Sequence, residues 1–143
     1  MEVKFKKLNE RAVIPKYAKP GDAGLDLVAT SCEHDAAKDN YVYGTGLAVE
    51  IPHGYVGLIF PRSSNRKTYA YMTNHVGVID SGYRGEIMIT FKNRDMIYGS
   101  QPYYVGDRIA QLIIIPYPFI DPIEADELSE TERGEGGHGS TGD

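Results

Sequence analysis

The sequence predicts an all-β fold of antiparallel strands, arranged as a sandwich, a jelly roll or a barrel. Glycine is frequent, with 16 among 143 residues, and 11 tyrosines and 8 prolines are scattered along the chain. Short apolar or alternating runs follow one another without a helical pattern between them, which is typical of strands joined by tight turns. A chain of 143 residues suits one domain.

Three regions carry the clearest strand patterns. Residues 86–92 alternate between polar and apolar side chains, which predicts a half-buried strand. Residues 47–51 and 55–60 predict two strands joined by a short Pro-His-Gly turn. Residues 109–115 are almost continuously apolar, which predicts a strand that is buried on both faces and ended by Pro116.

The C-terminal region, residues 124–143, is set apart by its charge. It contains seven acidic residues and one basic residue, a net charge of −6, which leaves +1 for residues 1–123 out of −5 overall. A near-neutral body argues against binding to nucleic acid, which depends on Lys and Arg. Because the C-terminal region has almost nothing to bury, we expect a body over residues 1–123 and a flexible glycine-rich arm over residues 124–143.

The composition also argues against several classes of protein. No window approaches the roughly 18 consecutive apolar residues of a membrane span, and the N-terminus lacks the apolar run of a secretory signal. Cys32 is the single cysteine, so neither an internal disulfide nor a cysteine-based metal site is expected. His34, His53 and His75 show no metal-cage spacing. We therefore expect a cytoplasmic protein without a membrane partner.

Five short clusters rich in Gly, Asp, Arg and Ser fall at predicted strand ends or in loops, where sites are usually built. In the first, residues 20–27, Asp26 is either a solvated strand residue or a carboxylate that holds Mg²⁺ through its water shell. In the second, residues 61–67, two serines and three cations form either a solvated turn or a cradle for phosphate oxygens.

The third cluster, residues 74–85, resembles a hairpin with Asp80 near its tip. Asp80 is either an ordinary turn residue or a positioned general base. Tyr83 is either an exposed ring or a planar surface that packs against a sugar. Residues 106–112 form the fourth cluster, in which the amide of Gln111 needs partners inside an apolar strand.

The fifth cluster, residues 133–142, lies in the acidic arm. It places Arg133 ahead of several glycines and a Ser-Thr pair, with His138 between them. Such a segment is either a disordered tail or a strap that wraps a phosphate, with the His138 ring lying over a base.

In this order and at these separations, the five clusters closely resemble the five sequence motifs of the trimeric dUTP pyrophosphatases, the dUTPases. The resemblance spans residues 20–142. It implies a jelly-roll-like antiparallel β subunit with a flexible C-terminal arm, and a homotrimer with active sites at subunit interfaces. It also implies hydrolysis of dUTP to dUMP and pyrophosphate with Mg²⁺ on the triphosphate, which keeps uracil out of DNA and supplies dUMP for dTMP synthesis.

The resemblance further implies roles for single residues. Asp26 would hold the Mg²⁺ through water, and Asp80 would deprotonate the water that attacks the α-phosphorus. Gln111 and Arg133 complete the catalytic candidates. The implied substrate-binding residues are Arg62, Ser63, Ser64, Asn74, Gly77, Val78, Ile79, Tyr83, Met88, His138, Gly139, Ser140 and Thr141.

The sequence departs from the family pattern at His138, where relatives usually have Phe; we expect weaker closure of the arm over the uracil. Ser64 stands where many relatives have Gly, a tolerated variation. A dCTP deaminase of similar fold is a competing interpretation, which is disfavoured because residues 87–92 contain no internal acid. A dUTP-sensing regulatory protein and a structural jelly roll of the capsid kind also compete with the dUTPase interpretation.

Overall fold

The computed structural model of the chain describes residues 1–94 and 100–137. These residues form ten strands and one short 3₁₀ helix, Ser63–Lys67. The strands are β1 (Lys4–Lys7), β2 (Leu25–Val28), β3 (Ser31–Asp35), β4 (Asn40–Gly44), β5 (Leu47–Glu50), β6 (Tyr55–Pro61), β7 (Ala70–Met72), β8 (Gly77–Ile79), β9 (Met88–Asn93) and β10 (Arg108–Pro116). Within this part of the chain, no helix is long and apolar enough to cross a membrane.

Two four-stranded antiparallel sheets form the body, and the predicted all-β fold is confirmed. The first, here called the site sheet, has the order β2-β10-β6-β8, and the second has the order β3-β4-β9-β7. β1 pairs with β5 in a separate two-stranded sheet. Both larger sheets contribute to one hydrophobic cluster, which includes Leu27, Ile59 and Leu112 from the site sheet and Tyr43 and Phe91 from the second.

The alternating pattern of residues 86–92 corresponds to β9, which begins two residues later than predicted. Ile87, Ile89 and Phe91 are almost completely buried, whereas Met88 is 53% exposed. The backbone of Ile87 bonds instead to the start of β5, with Ile87 N donating to Leu47 O at 2.8 Å. The predicted inward face is therefore correct, and the boundary differs because Ile87 pairs outside the sheet of β9.

The sequence predicts that β10 is buried on both faces, and this holds for its first half only. Ile109, Ala110 and Leu112 are fully buried, but Ile115 is 40% exposed. The reason is that β2 pairs with β10 only as far as Leu112, so the second half of β10 has one neighbouring strand. Pro116 is itself the last residue of the strand.

Two of the connections that carry the chain between sheets fall where the sequence predicts turns. The predicted turn after β5 is present, with Tyr55 N donating to Pro52 O at 3.1 Å and Gly54 at φ +84. The turn after β8 is also present, but the predicted hairpin is wrong. β8 pairs with β6 in the site sheet, whereas β9 pairs with β4 and β7 in the second sheet. The turn at Asp80 therefore stands at a crossover between the sheets.

Residues 117–137 contain no strand or helix and run as an exposed segment after β10. Large apolar side chains lie on its surface: Phe119 is 87% exposed, Ile123 84% and Leu128 89%. In a single chain these groups have no core to enter, so they are available to another surface.

Candidate active site

The second cluster forms a turn at the end of β6, here called the 62–68 loop. Arg62 is extended, at φ −80 and ψ 156, and the chain then enters the 3₁₀ helix. Arg62 Nη1 donates to Ser64 Oγ at 3.2 Å, and the Ser63 side chain is exposed. The cluster therefore forms a strand-to-helix turn with Ser63 accessible, a geometry that leaves the Ser63 hydroxyl open to a ligand.

Asp26 lies on β2 and is held by two arginines. Arg62 Nε donates to Asp26 Oδ1 at 2.6 Å, and Arg108 Nη1 donates to Asp26 Oδ2 at 3.0 Å. The side chain of Asp26 is only 17% exposed, against 53% for Arg108. Asp26 is therefore a paired carboxylate rather than a free solvated one, and the cluster keeps one positive charge in excess.

Gln111 faces the same region from β10, where it is the pairing partner of Asp26 on β2. Its amide Nε2 donates to Pro61 O at 3.1 Å, which satisfies the donor inside the strand. A Cβ added to Gly24 would lie 3.1 Å from Gln111 Cβ and closer still to Oε1. The Gln111 side chain can therefore occupy this space because Gly24 has no side chain.

These groups line one cavity of about 290 Å³ at the end of β6. Its lining includes Asp22, Gly24, Asp26, Arg62, Ser63 and Gln111. Residues from the first, second and fourth clusters thus converge in a single chain, and arginine groups with serine hydroxyls suit phosphate oxygens. The volume lies at the low end for a small-molecule site, which fits part of a nucleotide.

Asp80 occupies a tight turn directly after β8. Tyr83 N donates to Asp80 O at 3.0 Å, and Arg84 Nη1 braces the turn by donating to Ser81 O at 2.7 Å. The Asp80 side chain is exposed and makes no hydrogen bond or ion pair with the rest of the described chain. It borders a second cavity of about 220 Å³, together with Tyr55 and Tyr117. Its carboxylate is thus accessible to water.

The Tyr83 ring lies over Gly85. Tyr83 Oη donates to Glu86 O at 2.9 Å, and a Cβ added to Gly85 would lie 2.6 Å from Tyr83 Cζ. The ring is 42% exposed. The Tyr83 ring can therefore lie in this position only because Gly85 has no side chain, and part of the ring remains exposed to solvent.

The remaining predicted substrate contacts surround β8. Asn74 is exposed, and a Cβ on Gly77 would lie 3.4 Å from its Nδ2. Val78 is 60% exposed on β8, which is one of the two edge strands of the site sheet, and Ile79 is half-buried. Met88 is exposed at the start of β9, in the second sheet. These residues do not line the cavity that contains Asp26.

Within one chain, Asp80 and that cavity lie near opposite ends of β6. Ile79 pairs with Gly57, so Asp80 is level with Val56, whereas the 62–68 loop follows Pro61. Five residue steps along a strand correspond to about 16 Å. One chain alone therefore does not bring Asp80 to the cavity that contains Arg62 and Ser63.

Arg133 lies in the exposed arm and makes local contacts. Arg133 Nε donates to Gly136 O at 2.9 Å, and Gly136 N donates back to Arg133 O at 3.0 Å. The four remaining predicted groups of the arm, His138, Gly139, Ser140 and Thr141, lie outside the described residues.

Gly24 lines the cavity and Arg108 bonds to Asp26 beside it, although the sequence patterns did not indicate a role for either. Arg108 lies three residues before Gln111 in the fourth cluster, and a cation that close to a candidate catalytic residue was the available signal. Gly24 belongs to the first cluster, but its contact with Gln111 spans 87 positions. Nothing local in the sequence indicates that contact.

Known proteins match this chain along almost its whole length. The dUTPase family model matches residues 10–142. The chain belongs to the dUTPase family. It is 42% identical to the deoxyuridine 5'-triphosphate nucleotidohydrolase of Nocardia farcinica, a match that covers 98% of this chain and 85% of the relative. It is 40% identical to the enzyme of the same name from Crocosphaera subtropica, covering 99% of both.

Solved dUTPase structures share the fold. A mutant dUTPase of Staphylococcus bacteriophage 80alpha with dUpNHpp is similar at a TM-score of 0.81 and 30% identity, covering 99% of this chain and 98% of that chain. A mutant dUTPase from phage phi11 of S. aureus, described with a structural Mg(II) ion, has a TM-score of 0.74 and 27% identity. It covers 89% of this chain and 98% of that chain.

Proposed function

We propose that this member of the dUTPase family hydrolyses dUTP to dUMP and pyrophosphate, which keeps uracil out of DNA and supplies dUMP for dTMP synthesis. The observation that carries the proposal is the convergence of Asp26, Arg62, Ser63 and Gln111 on one cavity, where the Arg62 guanidinium and the Ser63 hydroxyl are available to phosphate oxygens. The match to the family model and the names of the relatives support the same reaction.

The phosphate chain of dUTP binds at this cavity. Ser63 and Ser64 supply hydroxyl and backbone donors, and Arg62 supplies charge while it braces the 62–68 loop. Gln111 has its amide nitrogen committed to Pro61 O, so Oε1 is left to orient a water or a metal-bound water.

The hydrolytic step requires a base, and we propose Asp80. Its carboxylate takes a proton from water as the water oxygen attacks the α-phosphorus, and the bond from that phosphorus to the bridging oxygen breaks to release pyrophosphate. Because Asp80 is exposed and about 16 Å from the 62–68 loop along β6, it serves the cavity of another copy. We therefore propose a homotrimer with sites at subunit interfaces.

The residues around β8 select the substrate. Asn74 and the backbone of Gly77, Val78 and Ile79 bind the uracil edge, with Met88 nearby from the second sheet. The Tyr83 ring packs against the deoxyribose and leaves no space for a 2'-hydroxyl.

The C-terminal arm closes the site after substrate binds. Arg133 and the backbone of residues 139–141 contact the γ-phosphate, and His138 stacks on the base with a smaller face than a Phe ring offers. An arm without a core of its own suits a part that orders on substrate.

Magnesium is the metal we propose, with Asp26 as its protein partner. Within the described residues there is no group of three or more His, Cys, Asp or Glu side chains that could hold an ion. Mg²⁺ usually keeps several waters and binds through one or two carboxylates plus substrate phosphates. The carboxylate of Asp26, in a cavity that Asp22 also lines, therefore fits a water-mediated role. When bound, the ion neutralises part of the triphosphate charge.

The test is pyrophosphate release from dUTP compared with dTTP, dCTP and UTP, with and without Mg²⁺. We expect a strong preference for dUTP and a fall of at least about 100-fold for Asp80→Asn, the lower end for loss of a general base. Asp121→Asn, which alters another exposed carboxylate, is the matched control and should match wild type. A chain that ends at residue 132 should stay folded and lose most turnover. Full activity of Asp80→Asn would contradict the mechanism.

The same assay distinguishes the competing functions. Ammonia release from dCTP would indicate a deaminase, and dUTP binding without pyrophosphate release would indicate a regulatory protein.

The single cysteine is compatible with a reducing compartment, and we propose that the reaction takes place in the cytoplasm.

A further inference from the structure

Tyr103 connects the interior of the protein to the 62–68 loop. Its side chain is 7% exposed, and its hydroxyl donates to Asn65 Oδ1 at 2.9 Å. Tyr103 precedes β10 by five residues, so this hydrogen bond joins the region of the fourth cluster to the second across 38 positions of sequence. Neither Tyr103 nor Asn65 is among the expected substrate contacts.

Asn65 takes part in several of the hydrogen bonds that shape the 62–68 loop. Asn65 N donates to Arg62 O at 2.9 Å, and Thr68 N donates to Asn65 O at 2.9 Å. The side-chain amide Nδ2 donates to Ala70 O at 3.2 Å. The position of Asn65 therefore sets the path of the backbone that carries Ser63.

Apolar packing does not hold this loop in place. The helix Ser63–Lys67 contains no buried residue, and no side chain caps its start. Polar contacts to the body must therefore fix its conformation. Besides the bond to Ala70 O, they include the pair of Arg62 with Asp26 on one side and the bond of Asn65 with Tyr103 on the other. Arg62 Nη1 also donates to Arg108 O at 3.5 Å, and within the loop Thr68 Oγ1 donates to Asn65 Oδ1 at 3.1 Å.

Tyr103 itself is held firmly on both sides. Tyr43 Oη donates to Tyr103 O at 2.9 Å and accepts from Tyr103 N at 3.1 Å. The Tyr103 ring also packs against Phe91, with centroids 5.0 Å apart. Burial raises the pKa of Tyr103, so its hydroxyl remains a donor at neutral pH. A donor fixed in this way can impose its position on Asn65.

We propose that Tyr103 is a positioning residue for phosphate binding, which acts through Asn65 to hold Ser63 and Ser64 where the phosphate chain contacts them. The inference rests on the proposed function, because it assumes that the 62–68 loop binds phosphates. It adds a residue outside the cavity to the groups that determine substrate affinity.

The test is Tyr103→Phe, which removes the hydroxyl and keeps the ring. We expect the affinity for inorganic pyrophosphate, measured by calorimetry with Mg²⁺, to fall by about 3- to 10-fold, the value of one hydrogen bond. KM for dUTP should rise by a similar factor with little change in kcat, because the loop contacts phosphates in both ground and transition states. Deoxyuridine, which lacks phosphates, should inhibit both proteins equally.

Tyr41→Phe is the matched control, since Tyr41 is also buried and its hydroxyl makes no hydrogen bond in the described chain. It should leave pyrophosphate affinity unchanged. In an Asn65→Ala background, Tyr103→Phe should have no further effect. Equal pyrophosphate affinity in wild type and Tyr103→Phe, an equal loss in Tyr41→Phe, or no pyrophosphate binding by wild type would overturn the inference. Failure of wild type to hydrolyse dUTP would instead refute the proposed function, because pyrophosphate binding needs no turnover.

Discussion

Gly85→Ala tests the proposed sugar selectivity directly, because it moves the Tyr83 ring without altering it. The new Cβ would lie 2.6 Å from Tyr83 Cζ and 3.0 Å from Cε2, whereas ordinary van der Waals contacts begin at 3.4 Å. The ring, which is 42% exposed, must therefore shift by roughly 0.8 Å to clear the new methyl group. The hydrogen bond from Tyr83 Oη to Glu86 O, now 2.9 Å, would be strained or lost.

A misplacement of about 1 Å in a substrate-positioning group can cost on the order of 100-fold in rate. We expect kcat/KM for dUTP to fall by about 10- to 100-fold in Gly85→Ala. The preference for dUTP over UTP should shrink by about 10-fold, because a displaced ring no longer fills the space of the 2'-hydroxyl. Steady-state pyrophosphate release with both nucleotides measures these two quantities.

The same turn offers a matched control in Gly82→Ala. No atom lies within 4 Å of a Cβ built on Gly82, so this variant should behave as wild type. If Gly85→Ala keeps the full preference for dUTP, or if Gly82→Ala loses it equally, the Tyr83 ring does not control selection of the sugar.

Two further predictions concern different parts of the chain. Gly24→Ala should lower kcat/KM by about 10-fold by displacing Gln111. Its additional effect should be smaller in a Gln111→Ala background, where only the contact with the Cβ of residue 111, at 3.1 Å, remains. Tyr43→Phe should lower the free energy of unfolding by about 1–3 kcal/mol, since it leaves the buried Tyr103 N without a hydrogen-bond partner, while Tyr103 O keeps the bond from Gln101 Nε2. Burial raises the pKa of Tyr43 above its ordinary value of 10. The unfolded chain therefore releases this proton first as pH rises above about 10, and stability falls; urea titrations between about pH 8 and pH 11 should show a shallower decline for Tyr43→Phe.

The sequence predicted the features that depend on local patterns. Alternation identified the buried face of β9, and the Pro-His-Gly turn after β5 was placed correctly, because side-chain period and turn chemistry act over a few residues. The five clusters indicated the family, and four of the predicted site residues, Asp26, Arg62, Ser63 and Gln111, do converge on one cavity.

Features that depend on distant partners could not be predicted. The arginine on each oxygen of Asp26 comes from 36 and 82 positions away. The hairpin prediction failed because strand pairing is decided by which sheet each strand joins, and β8 and β9 join different sheets. The partial exposure of β10 depends on the length of β2, which a local pattern cannot reveal.

The placement of Asp80 and the 62–68 loop at opposite ends of β6 has a genetic consequence. In the proposed assembly each polypeptide supplies its acid to one reaction centre and its phosphate contacts to another. Two inactive alleles, one damaged at Asp80 and one damaged in the loop, would then rescue each other when expressed together. Some centres of a mixed assembly would receive both contributions intact, which is intragenic complementation.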